Sequence, residues 1–137
     1  MMLSLESAII ESVDPLIHRH SFRVVMRTET ASGAEVFLNH RNVGLLIRVD
    51  WAEWRIFLDV FELDAHDPPT VPTHGVHIDA DRILIARGHE GAPVGSMLAD
   101  RDPSAVAKIV GQYVKALEAC APDLLRGDAT ALALTQH

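Results

Sequence analysis

The sequence is poor in several features that would assign it to a class of protein. It has a single cysteine in 137 residues, and no apolar run approaches the ~18 residues that a membrane-spanning helix needs. The segment 1–6 has no basic side chain ahead of its apolar residues, which argues against a secretory signal peptide. Cys120 alone cannot form an internal disulfide, which agrees with a reducing compartment. We therefore expect a cytoplasmic protein with no membrane partner.

Basic side chains are also in the minority. The chain has 12 Lys and Arg residues against 19 Asp and Glu residues, which gives a formal net charge of −7. Because the basic residues are scattered singly, they form no stripe that could neutralise phosphates, and we expect no nucleic-acid partner. The length and the 48% hydrophobic content predict a single domain over residues 1–137, with a core that needs no disulfide or metal.

An amphipathic segment near the N-terminus predicts the first helix. Apolar residues recur three and four positions apart over 4–18, and Ser4 is a suitable N-cap. Pro15 lacks a backbone N–H and crowds the preceding turn, so we expect the helix to end or kink near Val13.

A second amphipathic segment predicts a longer helix towards the C-terminus. Asp102 is a suitable N-cap, and Pro103 occupies the first helical position, where its missing N–H costs nothing. The apolar stripe continues to about Ala119. Pro122 then kinks the helix or starts a new turn, and Gly127 is a natural C-terminal cap.

Between these helices the hydrophobic period changes to two, which predicts strands. The predicted strands form two hairpins and cover 22–28, 35–39, 43–50 and 54–63. The segment 79–87 is either a fifth short strand or a helical turn. The sequence therefore predicts an α+β fold, with an antiparallel four- or five-stranded β-meander and both the N-terminal helix and the long C-terminal helix packed on one face.

Alternation within the third and fourth strands gives the sheet two unlike faces. One face collects only large apolar side chains, namely Leu45, Ile47, Val49, Trp51, Trp54, Ile56, Leu58 and Val60. The other face carries Leu46, Phe57 and Phe61 among charged residues. We expect the helices to cover the apolar face, and we expect part of the mixed face to be buried, for example by a second subunit.

The segment 64–81 concentrates potential metal ligands. Imidazole and carboxylate groups together suit zinc or another divalent ion, and the His74-x-x-His77 spacing lets both rings reach one ion. The ligands of this hypothesis are His66, His74, His77 and Asp79. The alternative is a solvated polar loop, because neither a His-Glu-x-x-His helix nor a cysteine pattern accompanies these residues.

Two tryptophans flank the turn of the second hairpin. On one face of a strand pair Trp51 and Trp54 belong to the core, whereas on a protruding turn they form an amphipathic anchor for a partner. Together with Phe57 and Phe61 of the mixed face, they are the binding residues that the sequence nominates.

The sequence shows no recognisable catalytic set. The glycine-bearing segment 88–96 lacks the Lys-Ser or Lys-Thr pair of a phosphate loop. Cys120 lies on the apolar side of the long helix with no histidine nearby in sequence. We therefore predict no catalytic residue and no cofactor, and the sequence argues against an enzyme.

The C-terminal segment carries one resemblance. The order of elements, closing on Ala-Pro-Asp-Leu-Leu-Arg-Gly-Asp over 121–128, resembles small uncharacterised bacterial proteins with a similar C-terminal segment. The resemblance implies no established activity and carries over no functional residue. Small α+β bacterial proteins of this kind include toxin-neutralising immunity proteins and chaperone-like modules, which by analogy favours a binding role.

These observations lead to one main hypothesis of function and one alternative. The main hypothesis is a non-catalytic protein-binding or assembly module of a bacterial cytoplasm, immunity-like or chaperone-like, that binds a protein partner or associates with itself as a homodimer. The alternative is a small metal-dependent enzyme or metal-binding protein that uses the segment 64–81.

Overall fold

The computed structural model describes residues 4–63, 77–95, 97–130 and 132. The elements are α1 (Leu5–Ser12), α2 (Asp14–His20), β1 (Arg23–Thr30), β2 (Gly33–His40), β3 (Val43–Asp50), β4 (Arg55–Glu62), β5 (His77–Asp79), α3 (Ala80–Ala86), α4 (Pro103–Cys120) and α5 (Pro122–Leu125). The strands form one antiparallel sheet in the order β1-β2-β3-β4-β5. The predicted α+β fold with a β-meander is confirmed. No helix within the described ranges is long and apolar enough to cross a bilayer.

The N-terminal helix is interrupted where the sequence predicts. The Ser4 hydroxyl accepts a hydrogen bond of 3.2 Å from the backbone N–H of Ser7 and so caps α1. Val13 separates α1 from α2, and Pro15 lies in the first turn of α2, where its missing N–H is tolerated. The predicted single helix is therefore two short helices joined by a kink.

The two predicted hairpins are present, but their strand ends differ from the prediction. In the first hairpin β1 extends to Thr30 and β2 begins at Gly33, so the turn is shorter than the predicted gap 29–34. The second hairpin differs at the start of its second strand. Trp54 has a φ of 53°, in the left-handed region, and lies in the turn 51–54 rather than in β4. The prediction that this strand starts at Trp54 is therefore wrong by one position, because a four-residue turn closes the hairpin. The ambiguous segment 79–87 resolves into the last residue of β5 and the helix α3.

The helices pack on the side of the sheet that carries Leu45, which we call the first face. α4 begins as predicted, because the Asp102 carboxylate accepts a hydrogen bond of 3.0 Å from the backbone N–H of Ser104. Its buried side chains join those of α1 and of the first face in one large core. From the sheet, this core contains Ala34, Val36, Leu38, Val43, Leu45, Ile47, Val49, Ile56, Leu58, Val60 and Ile78. The expected covering of the apolar face is confirmed except at Trp54, which is 39% exposed.

Hydrogen bonds of the Asp81 and Arg87 side chains fasten α3 to the C-terminal helices. The two carboxylate oxygens of Asp81 accept hydrogen bonds from the Tyr113 hydroxyl at 2.6 Å and the Val94 N–H at 2.7 Å. Burial raises the pKa of Tyr113, and the hydrogen bond to Asp81 raises it further. Arg87 donates to both carboxylate oxygens of Asp123, at 2.6 and 2.9 Å, and this hydrogen bonding lowers the pKa of Asp123.

Candidate functional site

The opposite side of the sheet, which carries Leu46 and which we call the second face, is divided into two halves. In the closed half, Phe37 is 0% exposed and Phe61 is 6% exposed. Their rings meet edge to face, with centroids 5.8 Å apart. A Cβ atom at Gly44 would lie 2.7 Å from the ring of Phe37, so only glycine leaves room for that ring. The expected partial burial of the second face is confirmed, but these two rings are buried within a single chain.

The open half of the second face consists of two rows of residues that run across the strands. Residues directly opposite each other in an antiparallel pair point to the same face, so the register defines each row. The first row is Thr28, Glu35, Arg48 and Phe57, and the second row is Thr30, Gly33, Asp50 and Arg55. Each row takes one residue from each of β1, β2, β3 and β4.

Phe57 lies between two arginine side chains. The guanidinium carbon of Arg48 is 4.4 Å from the centroid of the ring, and that of Arg55 is 4.6 Å from it. Both distances are in the range of a cation–π contact. Neither arginine forms an ion pair with any residue that the structure describes. Arg48, Phe57 and Arg55 therefore form a continuous strip along β3 and β4, which we call the ridge.

A depression of about 410 Å³ lies beside the ridge, towards β1. The second-face residues that line it are Thr28, Thr30, Gly33, Glu35, Arg48 and Asp50. A Cβ atom at Gly33 would lie 1.9 Å from the backbone carbonyl oxygen of Val49, so only glycine fits at this point of the depression. The depression therefore offers hydroxyl and carboxylate groups next to the arginines of the ridge.

The two carboxylates of the depression differ in what they bind. Asp50 accepts hydrogen bonds from the backbone N–H groups of Ala52 and Glu53, at 2.9 and 3.3 Å, and so stabilises the β3–β4 turn. Glu35 lies opposite Arg48 in the ladder but forms no ion pair with it, and no described residue pairs with its carboxylate. As far as the described residues go, Glu35 is therefore the carboxylate of the depression that is available to an external cation.

The structure does not bring the four nominated binding residues together. Trp51 is 8% exposed and belongs to the large core of the first face. Trp54 is 39% exposed, and the guanidinium carbon of Arg101 lies 5.4 Å from its ring centroid. Phe57 is in the open half and Phe61 in the closed half. Of the four, Phe57 and Trp54 are the two that reach the surface.

The metal hypothesis falls largely outside the described residues, since His66 and His74 lie in the segment 64–76. Of its other two ligands, His77 stacks on Phe61 with centroids 5.1 Å apart, and Asp79 accepts a hydrogen bond of 2.8 Å from the backbone N–H of Asp81. The described ranges contain no group of three or more His, Cys, Asp or Glu side chains that could hold a metal ion. The metal hypothesis stays a prediction.

A third carboxylate on the second face lies between the two halves. Asp59 is opposite Leu46 on β3 and opposite Asp79 on β5. Burial raises the pKa of Asp59, and the nearby charge of Asp79 adds to the increase. The nearby His77 and Arg48 side chains lower the pKa of Asp59, but by less than burial and Asp79 raise it.

Sequence reasoning did not nominate Arg48, Arg55 or Glu35 as site residues. The alternation of β3 and β4 already places both arginines on the face of Phe57. The alternation does not predict the register of the strands. The register places Arg48 directly opposite Phe57 and Glu35 directly opposite Arg48. A prediction of the β2–β3 and β3–β4 turns to the exact residue would have supplied that register.

Comparison with known proteins adds no assignment to this geometry. No protein-family model, curated protein or solved structure matches the chain significantly.

Proposed function

We propose that this protein is a non-catalytic protein-binding or assembly module, and that its binding surface is the open half of the second face. One observation carries the proposal: Phe57 stands between two arginines beside a depression, on the side of the sheet away from the large core. Aromatic and arginine side chains dominate the residues that contribute most to protein–protein binding. A surface of this composition favours a protein partner.

The ridge has a second property that favours binding. Each arginine has its guanidinium group held over the ring of Phe57, which reduces the number of rotamers that the free protein samples. A side chain that is already ordered loses less conformational entropy when a partner immobilises it. The stacking therefore prepares Arg48 and Arg55 to bind acidic groups of the partner.

The compartment forms part of the same proposal. The single Cys120 is partly buried, and burial raises the pKa of its thiol. Such a thiol is a poor nucleophile, in agreement with a packing role in a reducing cytoplasm.

Photo-crosslinking in living cells tests the proposed surface. A p-benzoylphenylalanine residue at position 57 keeps the aromatic ring in place and reacts with any protein that lies over it. We expect a covalent protein adduct on illumination. The matched control carries the same residue at position 108, because Lys108 is exposed on α4, away from the sheet.

The identity of the adduct is then established by mass spectrometry. An adduct at position 57 that is absent at position 108 supports a protein-binding surface on the open half. If position 57 gives no adduct, or if both positions give the same adducts, the proposed function is wrong.

A further inference from the structure

We infer that the partner of the open half is a second copy of this chain. A two-fold axis relates the two copies; it lies between the two facing sheets, parallel to the strands and above the line between β2 and β3. This inference rests on the proposed function and specifies its partner. Three features of the open half carry it: the order of charges across the rows, the match of the ridge to the depression, and the local charge balance.

The order of charges is self-complementary about the line between β2 and β3. A two-fold axis along this line places β2 of one copy over β3 of the other, and β1 over β4. In the first row, Glu35 and Arg48 stand on either side of the line. The axis therefore sets Glu35 of each copy against Arg48 of the other and forms two equivalent ion pairs. An isologous interface requires such self-complementarity.

The shapes of the two strips match under the same operation. The ridge on β3 and β4 of one copy is placed over the part of the depression that β1 and β2 of the other copy line. Phe57 then faces Thr28, and Arg55 faces Thr30 next to Gly33, which has no side chain. In this arrangement the depression accommodates the ring of Phe57 and the guanidinium group of Arg55. Sheets that pack face to face in this way lie roughly 10 Å apart, with side chains interdigitating between them.

The local charge balance permits two copies to meet here despite the overall charge. The chain has a formal net charge of −7, so two copies repel each other at most orientations. The two rows of the open half contain two arginines, Arg48 and Arg55, and two carboxylates, Glu35 and Asp50. This surface is neutral, and contact through it avoids the net repulsion.

Charge reversal at the central pair gives a sharp test by sedimentation velocity. We expect the wild-type protein to form a dimer. Either Arg48→Glu or Glu35→Arg alone sets like charges against each other in both pairs, and we expect the dimer dissociation constant to rise at least about tenfold. A mixture of the two variants restores opposite charges at both pairs, so we expect a heterodimer with close to the wild-type affinity.

Control variants distinguish an effect on the dimer interface from an effect on folding. Arg82→Glu makes the same change at an exposed position of α3, and we expect it to leave the dimer unchanged. Circular dichroism and thermal unfolding show whether each variant folds. If one variant unfolds, the chain that carries both changes replaces the mixture, because it also restores both pairs.

The outcomes distinguish this inference from the proposed function. A wild-type protein that stays monomeric at high concentration overturns the inference, as does a mixture that fails to restore the dimer. If position 57 still crosslinks to a different protein, the binding function stands and the second copy is replaced by that partner. If the wild-type protein is monomeric and position 57 forms no adduct, both proposals are wrong.

Discussion

The two faces of the sheet show how differently adjacent residues of one strand are used. Leu45 and Leu46 are neighbours of the same type on β3, yet Leu45 is 1% exposed within the large core, whereas Leu46 is only partly buried beside Phe37. The first face is sealed by helices. The second face has a small buried aromatic cluster at one end and an open, charged surface at the other. Hydrophobicity alone therefore does not set burial, which depends on whether another layer lies over the residue.

The most direct way to test this contrast is the same substitution at both leucines. We expect Leu45→Ala to lower the free energy of unfolding by about 3 kcal/mol or more, because it leaves a cavity in a core that cannot collapse around it. Leu46→Ala removes a side chain that is partly in water, and we expect a loss of about 1 kcal/mol. Urea unfolding at low protein concentration, where a dimer is dissociated, measures both values.

Equal losses at the two positions would contradict the contrast. They would show that the second face around Leu46 is as tightly covered as the first. The slope of each urea curve provides the control, because a variant that unfolds in a two-state transition keeps the wild-type slope.

Much of the fold follows from short-range patterns. Ser4, Pro15, Asp102 and Pro103 set the helix boundaries through local hydrogen bonding, and the alternation of β3 assigns each residue to a face. These signals extend over a few residues and do not depend on the rest of the chain. That is why the helix starts, the kink and the two-faced sheet are predictable from the sequence.

The remaining features depend on contacts between distant segments. The hydrogen bond between Asp81 and Tyr113 joins residues that are 32 positions apart, and no local sequence pattern predicts it. The stacking of Arg48 on Phe57 requires a register that is set by a four-residue turn in which Trp54 is left-handed. The burial of Phe37 requires Gly44 on the neighbouring strand. Such features arise from tertiary packing, which a periodicity does not encode.

The hydrogen bond between Asp81 and Tyr113 offers a test of how firmly the layer over the first face is fastened. Tyr113→Phe keeps the ring but leaves one oxygen of Asp81 without its donor, and we expect a loss of about 1 to 2 kcal/mol in the free energy of unfolding. Asp81→Asn and the double variant complete a thermodynamic cycle. Additive losses would show that the two groups do not interact.

The same hydroxyl predicts a pH dependence in the alkaline range. Tyr113 is the only tyrosine, and its pKa is raised in the folded protein. Above about pH 10 the unfolded chain releases this proton while the folded chain keeps it, so the stability falls as the pH rises. We expect the phenolate absorbance to appear only on unfolding. Phenolate formation in the folded protein at the ordinary tyrosine pKa would show that the hydroxyl is solvated.

The smallest expected effect concerns Asp59, where the closed and open halves of the second face meet. Burial and the charge of Asp79 raise the pKa of Asp59, so the fold favours its protonated form. The contribution of protonated Asp59 to the stability of the fold is thus fully present at acid pH. It is lost as the pH rises through the pKa that Asp59 has in the folded protein. At neutral pH the ionised carboxylate opposes folding. We therefore expect Asp59→Asn to raise the free energy of unfolding at neutral pH, by less than about 1 kcal/mol because the site is partly solvated.

The matched control for this change is Asp50→Asn on the neighbouring strand. Asp50 binds two backbone N–H groups of the β3–β4 turn, so removal of its charge is expected to destabilise the protein instead. Urea unfolding of both variants at neutral and acid pH separates the two cases. Well below about pH 4 the wild-type Asp59 is protonated in both the folded and the unfolded state, and the gain from Asp59→Asn is expected to disappear. A loss of stability for Asp59→Asn at neutral pH would contradict this expectation. It would mean that interactions with Arg48 and His77 favour the charged carboxylate. The second face would then depend on its charges for stability, as the first face depends on its apolar side chains.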